Sequence, residues 1–125
     1  MKESIRIVLL APGNEEARLR KPFEELEEGL RNELGKDRVR LAYVSVSSPS
    51  LAEVAAEAAA NDIARIRILP LFLTSGGPLE KEIPEQVSVV RAQVPQLNVE
   101  LLKPVGEHPR MRTLLHALAR EAARL

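Results

Sequence analysis

The sequence predicts an α/β fold in which a parallel sheet is covered by helices on both faces. Four short apolar segments rich in β-branched residues alternate with four longer segments of helical periodicity. The length of 125 residues is that of one domain, so residues 1–125 are taken as a single α/β domain with right-handed crossovers. Ligands of such sheets bind beyond the carboxyl ends of the strands, and the loops there are the candidate site.

The first strand and helix follow from local patterns. Residues 5–11 form a short β-branched run, and the Pro-Gly-Asn sequence at 12–14 favours a loop. A helix is predicted over 22–34, ending before Gly35, which is a common helix C-terminal residue. Its predicted inward face consists of Phe23, Leu26, Leu30 and Leu34.

The middle of the chain repeats this alternation. A second strand is predicted at 39–46, and Ser50 with Glu53 forms a capping box that starts an alanine-rich helix. The third strand is predicted at 66–73, with an irregularity at Pro70 because proline cannot donate to a ladder. The inward residues of the second helix are Leu51, Val54, Ala55 and Ala58. The third helix is expected to start near Pro84. Its inward residues are Ile83, Val87, Val90 and Val94.

The C-terminal part adds one strand and one helix. The fourth strand is predicted at 98–102, and residues 103–107 form a loop. His108 then opens the last helix. Its apolar residues are expected to face inward: Met111, Leu114, Leu115, Leu118 and Ala122.

Composition excludes several functional classes. The 18 basic and 18 acidic residues give zero net charge, so no field attracts nucleic acid or an anionic membrane. Cysteine is absent, which excludes disulfides and thiolate metal sites. No segment approaches about 18 apolar residues, and no signal-peptide pattern is visible. We therefore expect a cytoplasmic protein with neither a nucleic-acid nor a membrane partner.

Four motifs point to a known family. Residues 69–79 read Leu-Pro-Leu-Phe-Leu-Thr-Ser-Gly-Gly-Pro-Leu, and residues 104–109 read Pro-Val-Gly-Glu-His-Pro. The apolar strand and loop at 8–14 and the Pro-Ser-Leu turn at 49–51 complete the pattern. Over nearly its whole length the chain resembles the short-form CbiX family of sirohydrochlorin chelatases.

The resemblance implies both a topology and an activity. The implied fold is a four-stranded parallel sheet in the order 2-1-3-4. The implied activity is insertion of cobalt or iron into sirohydrochlorin, on the path to cobalamin or siroheme. Short members are half the size of the two-lobed chelatases, so the implied partners are a sirohydrochlorin-type tetrapyrrole and a second copy in a homodimer. No cofactor is expected.

The chain departs from the family at the positions that handle metal. The resemblance places the family's loop histidines on Pro12 and Pro78, and its acidic residue at the end of the second strand on Ser45. Insertion needs ligands for the ion and a base for two pyrrole protons, and imidazole serves both purposes near neutral pH. A proline side chain offers no donor, acceptor or titrating group. We therefore expect no metal site and no catalytic residue at these three positions.

Other loop residues are expected to bind the ligand itself. The glycine-rich loop 74–77 would form a nest of N–H groups for a substrate carboxylate, unless its glycines serve only a tight connection. Glu107, in the Gly-Glu-His-Pro motif, would line the same site or be structural. The predicted ligand-binding residues are Gly13, Asn14, Thr74, Ser75, Gly76, Gly77 and Glu107.

Basic residues and histidines near the predicted site, at the carboxyl ends of the strands, have two interpretations each. Lys81, Lys103 and Arg110 would pair with substrate carboxylates or are ordinary surface charges. His108 and His116 are eight positions apart, which is too far for a helical metal pair, and are interpreted as capping or surface residues.

Three functional hypotheses remain open. The first is a degenerate CbiX-like protein that binds a tetrapyrrole or a partner without inserting metal. The second is an active cobalto- or ferrochelatase with non-standard ligands, taken from a partner subunit or from Glu80, Glu82, Glu107 or His108. The third is a structural subunit of a complete chelatase. Whether the chain is an enzyme is not decided by the sequence.

Overall fold

A computed structural model of the protein describes residues 4–74, 76–77 and 79–124. Its elements, in chain order, are β1 Ile5–Ala11, α1 Ala17–Leu34, β2 Val39–Tyr43, α2 Leu51–Ala60, β3 Arg65–Pro70, α3 Leu79–Gln93, β4 Asn98–Leu101 and α4 Pro109–Ala123. A 3-10 turn, Val105–Glu107, lies between β4 and α4. The strands form one sheet in the order β2-β1-β3-β4, with every neighbouring pair parallel. The predicted fold class and strand order are confirmed.

Two apolar clusters lie on opposite faces of the sheet. The larger one lies under α2 and α3, and it buries the inward residues predicted for those two helices. Ser50 caps α2 as predicted, because its side chain accepts a hydrogen bond from the Glu53 backbone N–H at 3.2 Å. The smaller cluster lies under α1. Its buried members are Leu9, Ala11, Val39, Leu41 and Tyr43.

Two helices begin earlier in the chain than the start that was predicted from a proline. The first helix begins at Ala17 rather than 22, and the third begins at Leu79 rather than near Pro84. In both, the proline is the sixth helical residue and is exposed. An exposed proline inside a helix costs a backbone hydrogen bond but does not have to end it, so the rule that proline marks a helix start was wrong here.

Two strands end earlier than predicted. The second strand ends at Tyr43 rather than 46, and the third ends at Pro70 rather than 73. β2 ends level with β1, because Tyr43 pairs with Ala11, whereas β4 ends at Leu101, which pairs with Ile68, two residues before the end of β3. Past these ends the ladder continues with single bonds, such as those from the Val44 N–H to the Ala11 carbonyl and from the Leu71 N–H to the Leu10 carbonyl, and the apolar residues that follow become part of the loops.

The last helix is the largest departure from the prediction. Its apolar residues were expected to face inward, but none of α4 is buried, and its leucines are about half exposed. In the described part of the chain α4 packs mainly against the 3-10 turn before it. On α1, Leu26 and Leu34 are likewise exposed, whereas Phe23 and Leu30 pack on the sheet. Periodicity identifies an apolar face but does not say what covers it.

A polar cluster holds the amino-terminal end of the sheet. Arg6 is a buried charged residue that pairs with the Glu57 carboxylate and donates through Nε to the Asp37 carbonyl at 2.9 Å. Arg40 approaches the same carboxylate, with 3.6 Å between Nε and Oε1. The cluster joins β1, β2 and α2 at the end of the sheet opposite the candidate site. Among the described residues, no helix is both long enough and apolar enough to cross a membrane.

Candidate functional site

The loops that follow β1 and β2 are joined by reciprocal hydrogen bonds. The Asn14 backbone N–H donates to Ser47 Oγ at 2.9 Å, and Ser47 Oγ donates to the Asn14 carbonyl, also at 2.9 Å. At the base of the loops, the Val44 N–H donates to the Ala11 carbonyl at 3.0 Å. No sequence pattern indicated that Ser47 joins these two loops.

Gly13 is where the two loops come closest. A Cβ atom built on Gly13 would lie 1.5 Å from the Ser45 carbonyl oxygen and 2.7 Å from the Ser45 carbonyl carbon. Only glycine permits this approach. The structure therefore brings Pro12 and Ser45, two of the positions that differ from the family, onto one rim, where both are exposed.

The rim contains one strained residue that the sequence did not reveal. Val46 has a φ of 64° and is 68% exposed. The Ser47 N–H donates to the Ser45 carbonyl at 2.7 Å across it, which closes a γ-turn. A β-branched side chain at positive φ costs about 1–3 kcal/mol, and such strain often lies at binding sites. No sequence pattern marks Val46, because its conformation depends on the contact between the two loops.

The glycine-rich loop after β3 is described at Thr74, Gly76 and Gly77, all of which are exposed. The predicted residues Ser75 and Pro78 lie outside the described residues. Gly77 has a φ of 82°, which favours glycine. The Gly76 N–H donates to Thr74 Oγ1 at 3.1 Å, so this amide is already used within the loop. The predicted nest therefore has fewer available donors than the sequence suggested, and its ligand role stays a prediction.

The Gly-Glu-His-Pro motif connects the last two loops. A Cβ on Gly106 would lie 1.8 Å from the Leu73 carbonyl oxygen, and the Gly106 N–H donates to the Phe72 carbonyl at 3.0 Å. His108 is the N-cap of α4, since its Nδ1 accepts from the Arg110 N–H at 3.1 Å. The capping role predicted for His108 is confirmed, and His116 is exposed on α4.

An apolar cleft of about 710 Å³ lies between the β3–β4 end of the sheet and the start of α4. Leu69 and Leu102 come from the sheet side, and Met111 and Leu114 come from α4. The full lining is Leu69, Leu102, Lys103, Pro104, Val105, Glu107, His108, Pro109, Arg110, Met111 and Leu114. The structure thus brings together the predicted site residues Lys103, Glu107 and Arg110, but Lys81 does not line this cleft. The apolar wall was missed, because α4 was expected to be packed inward.

The CbiX family model matches residues 6–122, which is nearly the whole chain. The chain belongs to the CbiX family.

Solved structures agree with this assignment. A CbiX protein from Marinobacter aquaeolei, described as a protein of cobalamin (vitamin B12) biosynthesis, is 26% identical, with a TM-score of 0.83 over 98% of this chain and 97% of that chain. The sirohydrochlorin chelatase SirB from Bacillus subtilis subspecies spizizenii, solved in complex with cobalt, is 14% identical, with a TM-score of 0.79 over 94% of this chain and 50% of that chain. DR2241 from Deinococcus radiodurans, a multi-domain protein similar to chelatases, is 22% identical, with a TM-score of 0.71 over 93% of this chain and 24% of that chain.

The two solved structures of low sequence identity, SirB and DR2241, support a shared fold and nothing more. SirB and DR2241 share the fold alone with this CbiX chain, which spans about half the length of SirB. No curated protein matches the chain significantly.

Side chains that commonly bind metal ions are sparse around the rim and the cleft, among the residues that the structure describes. Where the family resemblance places a histidine and an acid, the described rim has Pro12 and Ser45. Among the residues that the structure describes, no three His, Cys, Asp or Glu side chains are grouped closely enough to hold an ion. Glu107 and His108 both line the cleft, together with its apolar wall.

Tyr43 is a buried titratable group close to the rim. Burial, and then the negative charge of Glu24, raise the pKa of the Tyr43 hydroxyl above its ordinary value, while Arg20 opposes this shift. The hydroxyl has no hydrogen-bond partner among the described residues. Because its pKa is raised, Tyr43 stays protonated at neutral pH and does not act as a base.

Proposed function

We propose that this CbiX-family chain binds a sirohydrochlorin-type tetrapyrrole at the carboxyl edge of its sheet without inserting metal into it. One observation carries the proposal: Pro12 and Ser45 share a rim fixed by the contact of Gly13 with the Ser45 carbonyl. The family resemblance places a metal-handling histidine and acid at these positions. Neither side chain present can bind a metal tightly and also accept pyrrole protons near neutral pH.

The cleft supports binding of the macrocycle. Its volume of about 710 Å³ is within the range of roughly 300–1,000 Å³ that is usual for ligand sites. Its lining is mostly apolar, which suits a flat ring, and Lys103 and Arg110 offer positive charges for the carboxylate arms of sirohydrochlorin. The proposal places the ring against Leu69 and Leu102.

A titration with sirohydrochlorin, with and without cobalt, tests this function. We expect a saturable change in the absorption spectrum on binding, and the same rate of cobalt-complex formation with and without protein. Lys103→Glu together with Arg110→Glu should weaken binding about tenfold or more, because two attractive charges become repulsive. Conversion well above the spontaneous rate by the purified protein would overturn the proposal.

Restoring the histidines is a second test of the same reasoning. Pro12→His combined with Pro78→His should give measurable cobalt binding by calorimetry, because two imidazoles are returned to the family's positions. Pro22→His with Pro95→His is the control, since both prolines are exposed and neither lines the cleft, so the same two groups are added away from the site. Equal cobalt affinity in the two double variants would show that the positions are not special.

An active chelatase with other ligands is the second candidate, and one observation favours it. Glu107 and His108 are adjacent in the chain and line the same cleft. If they replaced the family's ligands, Glu107→Gln and His108→Gln would each abolish a cobalt-dependent turnover that the unmodified protein shows. Turnover that survives both substitutions would exclude these residues as the source of activity.

A homodimer is also proposed. The chain matches half of the SirB chain, so a second copy would supply a counterpart to the other half. Mass measurement in solution tests this independently of any ligand.

A further inference from the structure

The cleft between the sheet and α4 has an apolar interior and a charged mouth. Leu69, Leu102 and Val105 line it and are half-buried. Lys103 and Arg110 also line it, but both are exposed. A ligand that enters the cleft therefore exchanges water for leucine and valine on its inner side, and it meets cations on the side that faces the solvent.

The charge of the cleft is small. Among the described residues that line it, Lys103 and Arg110 are positive and Glu107 is negative, which leaves one net positive charge. The ring of His108 adds no charge in this arrangement, because its Nδ1 accepts a hydrogen bond from the Arg110 N–H and so carries no proton. That bond also occupies the Arg110 amide at the start of α4. An anion at the cleft is therefore held by the side chains of Lys103 and Arg110.

This arrangement discriminates among tetrapyrroles by the position of their carboxylates. Sirohydrochlorin carries acidic arms on every side of its ring, so none of its edges can enter the apolar interior without bringing carboxylates along. A carboxylate that is buried without a cation or a hydrogen-bond donor is strongly unfavourable. A tetrapyrrole with carboxylates on one edge alone can place its apolar edge against Leu69 and Leu102. Its carboxylates then stay at the mouth, beside Lys103 and Arg110.

We infer that the cleft selects a tetrapyrrole whose carboxylates are confined to one edge, and that it binds such a ring more tightly than sirohydrochlorin. The inference deepens the proposed function and rests on it, because it requires that the ring lies in this cleft. Burial of the apolar edge supplies the affinity, and Lys103 with Arg110 determines which edge stays outside. The apolar wall adds selectivity, because it penalises the ring that has carboxylates all round.

Two porphyrins that share the same aromatic ring separate the position of the carboxylates from the shape of the ring. Protoporphyrin carries its carboxylates on one edge, whereas uroporphyrin carries them all round. We expect the unmodified chain to bind protoporphyrin about tenfold more tightly, or better, than it binds uroporphyrin or sirohydrochlorin. The absorption spectrum of each ligand is the signal, because the chain contains no tryptophan to report binding by its own fluorescence.

Substitutions test whether protoporphyrin lies in the cleft. Leu114→Glu places a negative charge on the α4 wall of the cleft, where Leu114 is 49% exposed, and should weaken protoporphyrin binding about tenfold or more. Leu26→Glu is the matched control, because Leu26 is 43% exposed but lies on α1 and does not line the cleft. Lys103→Gln with Arg110→Gln leaves the apolar packing untouched and should also weaken protoporphyrin binding about tenfold.

The results separate this inference from the proposed function. If the unmodified chain binds none of these tetrapyrroles, the proposed function is wrong and the inference fails with it. If uroporphyrin or sirohydrochlorin binds as tightly as protoporphyrin, the function stands and the selectivity is wrong. If protoporphyrin binds most tightly but equally well to Leu114→Glu and to Lys103→Gln with Arg110→Gln, the ring lies outside the cleft and the inference is overturned.

Discussion

Replacing Gly13 by alanine should separate the first two site loops. A new Cβ would lie 1.5 Å from the Ser45 carbonyl oxygen, so the backbone of one loop has to move by more than an ångström. Gly13 does not have a positive φ, so the cost is steric and does not come from the dihedral angles of alanine. The reciprocal Asn14–Ser47 bonds and the bond from Val44 to Ala11 lie beside this contact.

The number of hydrogen bonds beside Gly13 gives the expected loss of stability. Three lost hydrogen bonds at about 1 kcal/mol each would lower the free energy of unfolding by about 2–3 kcal/mol. For a domain of this length that corresponds to a fall in Tm of roughly 6–12 °C. Gly29→Ala is the matched control, because a Cβ there meets nothing within 4 Å and the residue lies inside α1. Alanine at an open helical position should raise stability by about 0.5–1 kcal/mol.

Thermal and urea denaturation of the two variants give the comparison, with far-ultraviolet circular dichroism as the signal. We expect the two substitutions to shift Tm in opposite directions. Tetrapyrrole binding should weaken in Gly13→Ala and stay unchanged in Gly29→Ala. A Gly13→Ala protein that melts within about 1 °C of the unmodified chain would refute the reasoning, because a 1.5 Å contact cannot be relieved without moving backbone.

Three further substitutions test single features of the rim and its surroundings. Tyr43→Phe should leave stability unchanged or raise it by about 1 kcal/mol, because the hydroxyl it removes is buried without a partner among the described residues. Its raised pKa means that the unfolded chain ionises first, so the unmodified protein should lose stability above about pH 10 more steeply than Tyr43→Phe in pH-dependent denaturation. Val46→Gly should raise Tm by a few degrees through relief of the positive φ, and an unchanged or lower Tm would argue against strain there. Gly106→Ala should destabilise the protein by about 2 kcal/mol or more through its 1.8 Å contact with Leu73, and a urea midpoint equal to that of the unmodified protein would contradict this contact.

Local patterns were enough for the core of the fold. The inward residues of α2 and α3 were predicted from helical periodicity alone, because both helices cover strands that are apolar on the same face. The Ser50 cap and the His108 cap were predicted because capping depends on residues a few positions apart. Element ends were less accurate, since the ends of β2 and β3 depend on where neighbouring strands stop.

The candidate site was predicted in part. The motifs drew attention to Pro12 and Ser45, which the structure places on one rim, and the roles assigned to them and to the loops after the strands stay predictions. The joining of two loops through Ser47, the strain at Val46 and the apolar cleft were not visible. Each of these involves residues that are distant in the chain or a backbone angle imposed by such a contact.

By itself, the sequence determined the alternation of strands and helices and the buried faces of α2 and α3. Those properties depend on side-chain chemistry and short-range periodicity. The tertiary structure alone decided that α4 leaves its leucines half exposed and that Gly13 meets the Ser45 carbonyl. Which surface covers a helix and how closely two loops approach are set by long-range packing, and no local pattern encodes them.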